Sequence, residues 1–234
     1  MYNKIIRSGN LIEHWNYEKS IIRSRSCGRI KRGVVRTSRL WSNIQRQKKS
    51  FYRLVRSNLT TEERPALLTL TMYQVMGVGL AYKCFTGFIK RLRESGYNQG
   101  FRYIAVPEFQ VRGAVHFHCL IWGFNEEDII NEKKTRAIQS RWLYGFCDIT
   151  RTDGSPKLAG YLSKYMSKAL SDIRLFHKKG YVSSRNIVRP VCLSGEVQTS
   201  YQELIGLSTG MKFDKCYVID TKWLGKCVYK SYIV

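Results

Sequence analysis

Acidic side chains are scarce in this chain: 17 Asp and Glu stand against 40 Lys and Arg, a formal net charge of +23. An imbalance of that size points to a polyanionic partner, because each phosphate neutralised releases condensed counterions. An anionic membrane surface would attract the same charge. However, a lipidation signal and a long basic amphipathic helix are both missing, so no membrane partner is expected. No apolar run approaches 18 residues and no secretory apolar segment opens the chain. A membrane-spanning helix and a signal peptide are thereby excluded, and a soluble intracellular protein is expected. The seven cysteines (27, 84, 119, 147, 192, 216 and 227) include no C-x-x-C pair and are odd in number. That argues against a disulfide framework or a zinc ribbon and for a reducing compartment. No G-x-x-x-x-G-K-[ST] loop occurs, so there is no sign of an ATPase or helicase module. Internal repeats and low-complexity tracts are absent as well.

What remains is the composition of a folded protein, 44% hydrophobic and 13% aromatic over 234 residues. That length suits one large domain or one domain with extensions. The cations crowd toward the start: residues 1–60 hold 15 Lys and Arg but only two acids, Glu13 and Glu18. The densest part, "RSRSCGRIKRGVVRTSR" (23–39), contains Arg29, Lys31 and Arg32 and reads as a basic arm lying along nucleic acid. A nuclear-import signal is the second reading.

Beyond the arm the periodicity changes. Ala66 to Tyr73 has the apolar and β-branched content of a buried strand. Residues 81–95 place apolar side chains at 81, 85, 88, 89 and 92, a helical spacing ended by Gly96. Strands follow through "FRYIAVPEFQ" and "AVHFHCLIW", joined by a turn at "VRG". A helix is expected from Glu126 to Tyr144, ending on Gly145, then a short strand "FCDITRT". Ser155 and Pro156 make an N-cap and first-turn pair opening the helix "PKLAGYLSKYMSKALSD". Past residue 175 the pattern suggests a basic loop, a helix around 196–207, and strands near 215–220 and 227–233. The order β-α-β-β-α-β-α predicts an α+β fold, a central antiparallel sheet flanked by helices, with a basic N-terminal extension. The expected division is an extension over 1–60, a core domain over 61–190, and a C-terminal α/β extension over 191–234 packing on the core.

Two constellations carry chemistry. In the hairpin 102–122, a Val111-Arg112-Gly113 loop puts glycine at the left-handed position such loops favour. Gln110 then faces Ala114 and Glu108 faces His116, with His118 following on the same side because side chains alternate. The other side carries Phe109, Val111, Val115, Phe117, Cys119 and Ile121 and suits a covering of helices. Two of only four histidines thus share a rigid face with a carboxylate, a mixed N/O set suited to Mn²⁺ or Mg²⁺ with open positions for water or phosphate. A solvated polar face is the alternative. Pro107, lacking an N–H, has to lie at an edge or a bulge.

In the helix, Tyr161, Lys164, Tyr165 and Lys168 fall on one stripe, beside an apolar stripe of Leu158, Ala159, Leu162, Met166, Ala169 and Leu170. Tyrosines at that spacing commonly just pack. Lysines three residues after each tyrosine favour chemistry instead, because a phenol needs cationic neighbours and a polarised phosphate to act as a nucleophile. Gly160, costly inside a helix, suggests close approach of another molecule.

"HFHCL" preceded by Glu108 and followed by "YLSKYMSK" resembles the HUH endonucleases that initiate rolling-circle DNA replication, in their two-tyrosine form. The likeness is to initiators of single-stranded DNA phages and small replicons, including the filamentous-phage gene II type. "ALLTLTMY" is similar to the first motif of that family, a strand beside the active site, and "YVSSRNIVRP" (181–190) to a downstream segment. The resemblance spans roughly residues 60–190. It implies a divalent metal held by Glu108, His116 and His118, attack by Tyr161 or Tyr165 assisted by Lys164 and Lys168, and a 5′-phosphotyrosine intermediate. Contacts to DNA are expected from Thr69, Thr71, Gln110 and Arg112 and from Arg29, Lys31 and Arg32 of the arm. The implied partners are single-stranded origin DNA, which could form a hairpin, and the host replication helicase and polymerase. The implied location is the host cytoplasm, or the nucleus of a eukaryotic host. A transposase or relaxase of the same superfamily, a non-catalytic basic nucleic-acid-binding protein, and a hydrolase using activated water stay open.

Overall fold

A computed structural model describes residues 2–19, 37–60, 62–97, 99–175, 178–195, 212–221 and 224–234. The chain forms two compact units, one of residues 41–55 and 59–188 and the other of 1–40, 56–58 and 189–234. Each contains a five-stranded antiparallel sheet, so the α+β class expected from the sequence holds.

In the unit of 41–55 and 59–188, the strands are β3 (Ala66–Met72), β4 (Arg102–Phe109), β5 (Val115–Trp122), β6 (Gly145–Arg151) and β7 (Val182–Ser183), in the order β6-β3-β5-β4-β7. Leu68, Leu70, Phe117, Cys119, Ile121 and Cys147 point to one face. There they pack against Ala81, Phe85, Phe88, Ile89 and Leu92 of helix α2 (Val78–Glu94). The opposite face is also covered, where the hairpin pattern suggests only polar groups. Ile104, Val106, Leu120 and Trp122 lie under Phe51, Leu54 and Val55 of α1 (Thr37–Arg56) and under Ala159, Leu162 and Met166 of α5 (Lys157–Ser171). Each such side chain taken from water contributes about 1.5–3 kcal/mol before entropic costs. Val111, assigned by alternation to the apolar side, is instead fully exposed at the loop tip.

The helix expected over 126–144 is two helices, α3 (Glu126–Ile130) and α4 (Glu132–Gln139). Asn131 separates them, and its side chain accepts from the Lys134 N–H to cap the second. Gly145 opens β6 and marks more than a helix end. A Cβ there would lie 1.9 Å from the Thr71 carbonyl oxygen, so only glycine lets β6 begin pairing with β3. At the start of α5 the N-cap position is Pro156, one residue later than expected, and no side chain caps it. At Gly160 an added Cβ would meet no atom within 4 Å, so the protein's own packing does not require glycine there.

The other unit carries β1 (Tyr2–Ser8), β2 (Leu11–Tyr17), β8 (Val191–Gly195), β9 (Lys212–Thr221) and β10 (Gly225–Ile233), ordered β8-β1-β2-β10-β9. β9 and β10 fall where the sequence predicts strands. β1 and β2 form a hairpin that the basic character of residues 1–60 hides; Ile5, Ile6, Leu11 and Ile12 are buried in it. Arg29, Lys31, Arg32 and the helix expected around 196–207 lie outside the described residues. Among the described residues no helix is long and apolar enough to cross a membrane.

Candidate active site

The β4–β5 hairpin takes the register its sequence implies. Gly113 has φ of 90° and donates its N–H to the Gln110 carbonyl at 2.8 Å, while the Gln110 N–H reaches the Ala114 carbonyl at 2.9 Å. Glu108 pairs with His116 and Val106 with His118. With Gln110 bonded across the hairpin, alternation turns the nitrogen of Pro107 away from β5. On that side β7 pairs only with Ile104 and Ala105, so the missing N–H costs no ladder bond. On the other flank of β5, Thr71 pairs with His116 and Thr69 with His118, so both threonines share the histidine face and are half-buried.

Helix α5 lies on β4 and brings its tyrosines to this face. The rings of His118 and Tyr165 are stacked, centroids 3.6 Å apart at 20°. The Tyr161 ring stands edge-on to His118 at 6.4 Å, and the Tyr165 hydroxyl donates to the Tyr161 oxygen at 3.0 Å. His118 Nε2 lies 2.8 Å from Glu108 Oε2, and Lys168 Nζ donates to Glu108 Oε1 at 2.7 Å. Lys164 is exposed one turn earlier on the helix. Six of the residues expected to act together, Glu108, His116, His118, Tyr161, Tyr165 and Lys168, therefore form one contiguous group.

The electrostatics follow from partial burial. Burial raises the Glu108 carboxyl, but hydrogen bonds from Lys168 and His118 and their charges outweigh it, and the group titrates below its usual range. His116 and His118 are both lowered, chiefly by burial, so both favour neutral imidazole, the form that binds a metal. The Tyr165 phenol is raised, first by burial and then by its bond to Tyr161. His116 Nε2 and His118 Nδ1 are buried without a hydrogen-bond partner. Two orphaned imidazole nitrogens beside a carboxylate fit the donor chemistry of a divalent cation. The three groups are not gathered to a point: among the described residues no three His, Cys, Asp or Glu side chains cluster closely enough to hold an ion. Glu108 is engaged by His118 and Lys168 instead.

Two of the residues expected to touch DNA are committed within the protein. The Arg112 guanidinium donates to the Gln110 side chain at 2.9 Å and to the Tyr73 and Met72 carbonyls at 3.1 and 2.6 Å. It fastens the hairpin loop to the end of β3. Sequence reasoning also misses Arg174, whose guanidinium lies 3.7 Å from the centre of the Phe109 ring while paired with Asp172. A hollow of about 1080 Å³ lies at the opposite end of the sheet, lined by Pro65, Tyr97, Trp122, Phe124 and Asp128 among others, away from the tyrosines and histidines.

The histidine hairpin and the tyrosine helix fall together in one matched segment. Residues 65–170 match the replication-associated protein family that joins ORF2 with the gene II protein. The match runs from the residue before β3 to the last turn of α5 and so contains every member of the contiguous group. No curated protein and no solved structure matches the chain. A replication-associated protein of this type accords with the strong positive charge and with an α+β fold.

Proposed function

We propose that this replication-associated protein nicks single-stranded DNA and transfers the cut strand, through a tyrosine that becomes linked to the 5′ phosphate. One observation carries the reading: Tyr165 is stacked on His118 and hydrogen-bonded to Tyr161. Two candidate nucleophiles are thereby held against the imidazole–carboxylate pair. Packing alone would not place a phenol pair, a histidine bound to a carboxylate and a lysine within one turn of each other.

The attacking phenol oxygen forms a bond to phosphorus, and the bond from phosphorus to the 3′ oxygen breaks. The phenol proton passes to solvent, and the departing 3′ oxygen takes one up to become a hydroxyl. Tyr165, donating to the Tyr161 oxygen, favours charge on Tyr161 over charge on itself. Lys164 and Lys168 supply positive charge where the phosphate oxygens crowd. Thr69 and Thr71 stand on the same face for hydrogen bonds to the strand. Glu108, His116 and His118 would hold Mn²⁺ or Mg²⁺, which would supply charge that draws electrons from the scissile phosphate. Reversal of the step, with the 3′ hydroxyl attacking the phosphotyrosine, rejoins the strand. The natural substrate is an origin exposed as single strand or hairpin. The work belongs in the host cytoplasm, or in the nucleus of a eukaryotic host, beside the host helicase and polymerase.

The test is incubation with a pool of single-stranded oligonucleotides and Mn²⁺, followed by a denaturing gel. A protein band shifted by covalent DNA is expected, and it should vanish in chelator and in the doubly substituted Tyr161→Phe/Tyr165→Phe protein. Cut DNA without any adduct would assign the activity to water and overturn the tyrosine mechanism.

A further inference from the structure

Beside the tyrosine helix, the same sheet face carries a strip that no helix covers. α5 packs on β4, yet the face continues through β3 to the edge strand β6, where Thr71 pairs with Phe146 and Thr69 with Asp148. Phe146, Asp148 and Thr150 are all exposed, Phe146 at 56%. Cys147 and Ile149, which alternate with them, turn to the α2 side and join its core. β6 thus meets its packing needs on one face and presents a phenyl, a carboxylate and a hydroxyl on the other.

A single exposed phenylalanine is ordinary. The register is what distinguishes this one. One row across the sheet reads Phe146, Thr71, His116, Glu108, and the next reads Asp148, Thr69, His118, Val106. Phe146 therefore stands two strand spacings, about 10 Å, from His116 on the reacting face. That is too far to touch the scissile phosphate and near enough to meet a neighbouring nucleotide. A phenyl in such a place offers a stacking platform to any base. Asp148 can only accept hydrogen bonds when ionised, and Thr150 Oγ1 already donates to its Oδ2 at 3.2 Å. Its free lone pairs match the exocyclic amino group of cytosine or adenine and find no donor of that kind on thymine.

We infer that Phe146 and Asp148 form a base-reading subsite for the nucleotides flanking the cut, a role that rests on the nicking reading above. Phe146 stacks one base, and Asp148 selects an amino-bearing base, cytosine or adenine, next to it. The charge of Asp148 repels phosphate, so the strand lies with its bases on β6 and its backbone toward Lys164 and Lys168.

Binding to single-stranded oligonucleotides in chelator separates this subsite from the chemistry, since no covalent step is needed. Full-length Phe146→Ala is expected to bind about tenfold more weakly, while Phe146→Tyr keeps wild-type affinity. Sequencing the bound fraction of a random pool should show enrichment of cytosine or adenine at one position, lost in Asp148→Ala. An affinity within twofold of wild type for Phe146→Ala, or unchanged enrichment in Asp148→Ala, overturns the assignment. If base selection follows these variants but no adduct ever forms with Mn²⁺, the nicking reading alone fails.

Discussion

His118 and Tyr165 lie ring on ring, their centroids 3.6 Å apart. The stack joins a residue on β5 to a residue on α5 that follows it by 47 positions in the chain, and it fixes where the phenol oxygen of Tyr165 can go. Tyr165→Phe retains the stack and removes only the hydroxyl that donates to Tyr161. Its cost in stability should stay near ~1 kcal/mol, measured by denaturant unfolding, while strand transfer falls well below that of the wild type. Tyr161→Phe should impair transfer as well. Wild-type strand transfer by both single variants would remove the pair from the mechanism.

Glu108→Gln separates the site's chemistry from its binding. The substitution keeps the shape but loses the charge that holds Lys168 and orients His118. Lys168 is largely exposed, so the pair itself adds little stability, at most about 1 kcal/mol. Metal-dependent cleavage should drop sharply and salt-sensitive DNA binding should persist. Cleavage by Glu108→Gln with an unchanged Mn²⁺ dependence would take the carboxylate out of the metal set.

The cations of the basic segment are best tested in place. Removing residues 1–50 would also delete β1 and β2, which pair with β8 and β10, so loss of binding would report a broken sheet. Neutralising Arg29, Lys31 and Arg32 to glutamine leaves the strands untouched. If all three meet phosphates of a single strand, the slope of log affinity against log salt should flatten by about 2. An unchanged slope would show that they do not contact the backbone.

Acid should weaken the unit that contains His14. Burial, and then the charge of Lys230 paired across the strands, holds the His14 imidazole below its usual range. The folded state therefore disfavours the proton that the unfolded chain accepts near pH ~6.5. Stability is complete above that pH and falls as pH drops through and below it. Thermal melts on either side of that pH, at about 7.5 and about 5.5, should show the loss, and it should shrink in Lys230→Gln. An equal loss in Lys230→Gln would deny the lysine its part.

Gly145→Ala addresses the sheet directly. Its methyl would overlap the Thr71 carbonyl, which forces β6 off β3 and costs roughly 3 kcal/mol or more. A melting temperature within a few degrees of wild type would show that the strand start can shift.

The hairpin register was legible because a three-residue loop with glycine last leaves one choice, and that choice put Glu108 opposite His116. The tyrosine–lysine stripe was legible from helical spacing alone. What the sequence hid was nonlocal. Nothing near β6 says that it pairs with β3, so Phe146 and Asp148 could not be placed on the histidine face. Arg112 looked like a DNA contact because its type is basic, whereas the partners that occupy it are carbonyls at the end of another strand. α1 went unseen because its buried Phe51, Leu54 and Val55 are interleaved with lysines and arginines on its outer side.

The pairing of β2 with β10 has a consequence for how the protein is made. Tyr17 meets Cys227 and Leu11 meets Ile233, so this sheet closes loops of more than two hundred residues. The β4–β5 hairpin, by contrast, can form as soon as the ribosome has delivered it. Contacts of such long range are slow to form, and the β1–β2 hairpin must wait through nearly all of synthesis for its partner strand. During that interval the hairpin and the basic segment that follows it in the chain stand beside the ribosome, where nascent polypeptide and cellular nucleic acid are closest together. Newly made protein should therefore be most prone to nonspecific RNA capture before release, and least so once β10 has docked.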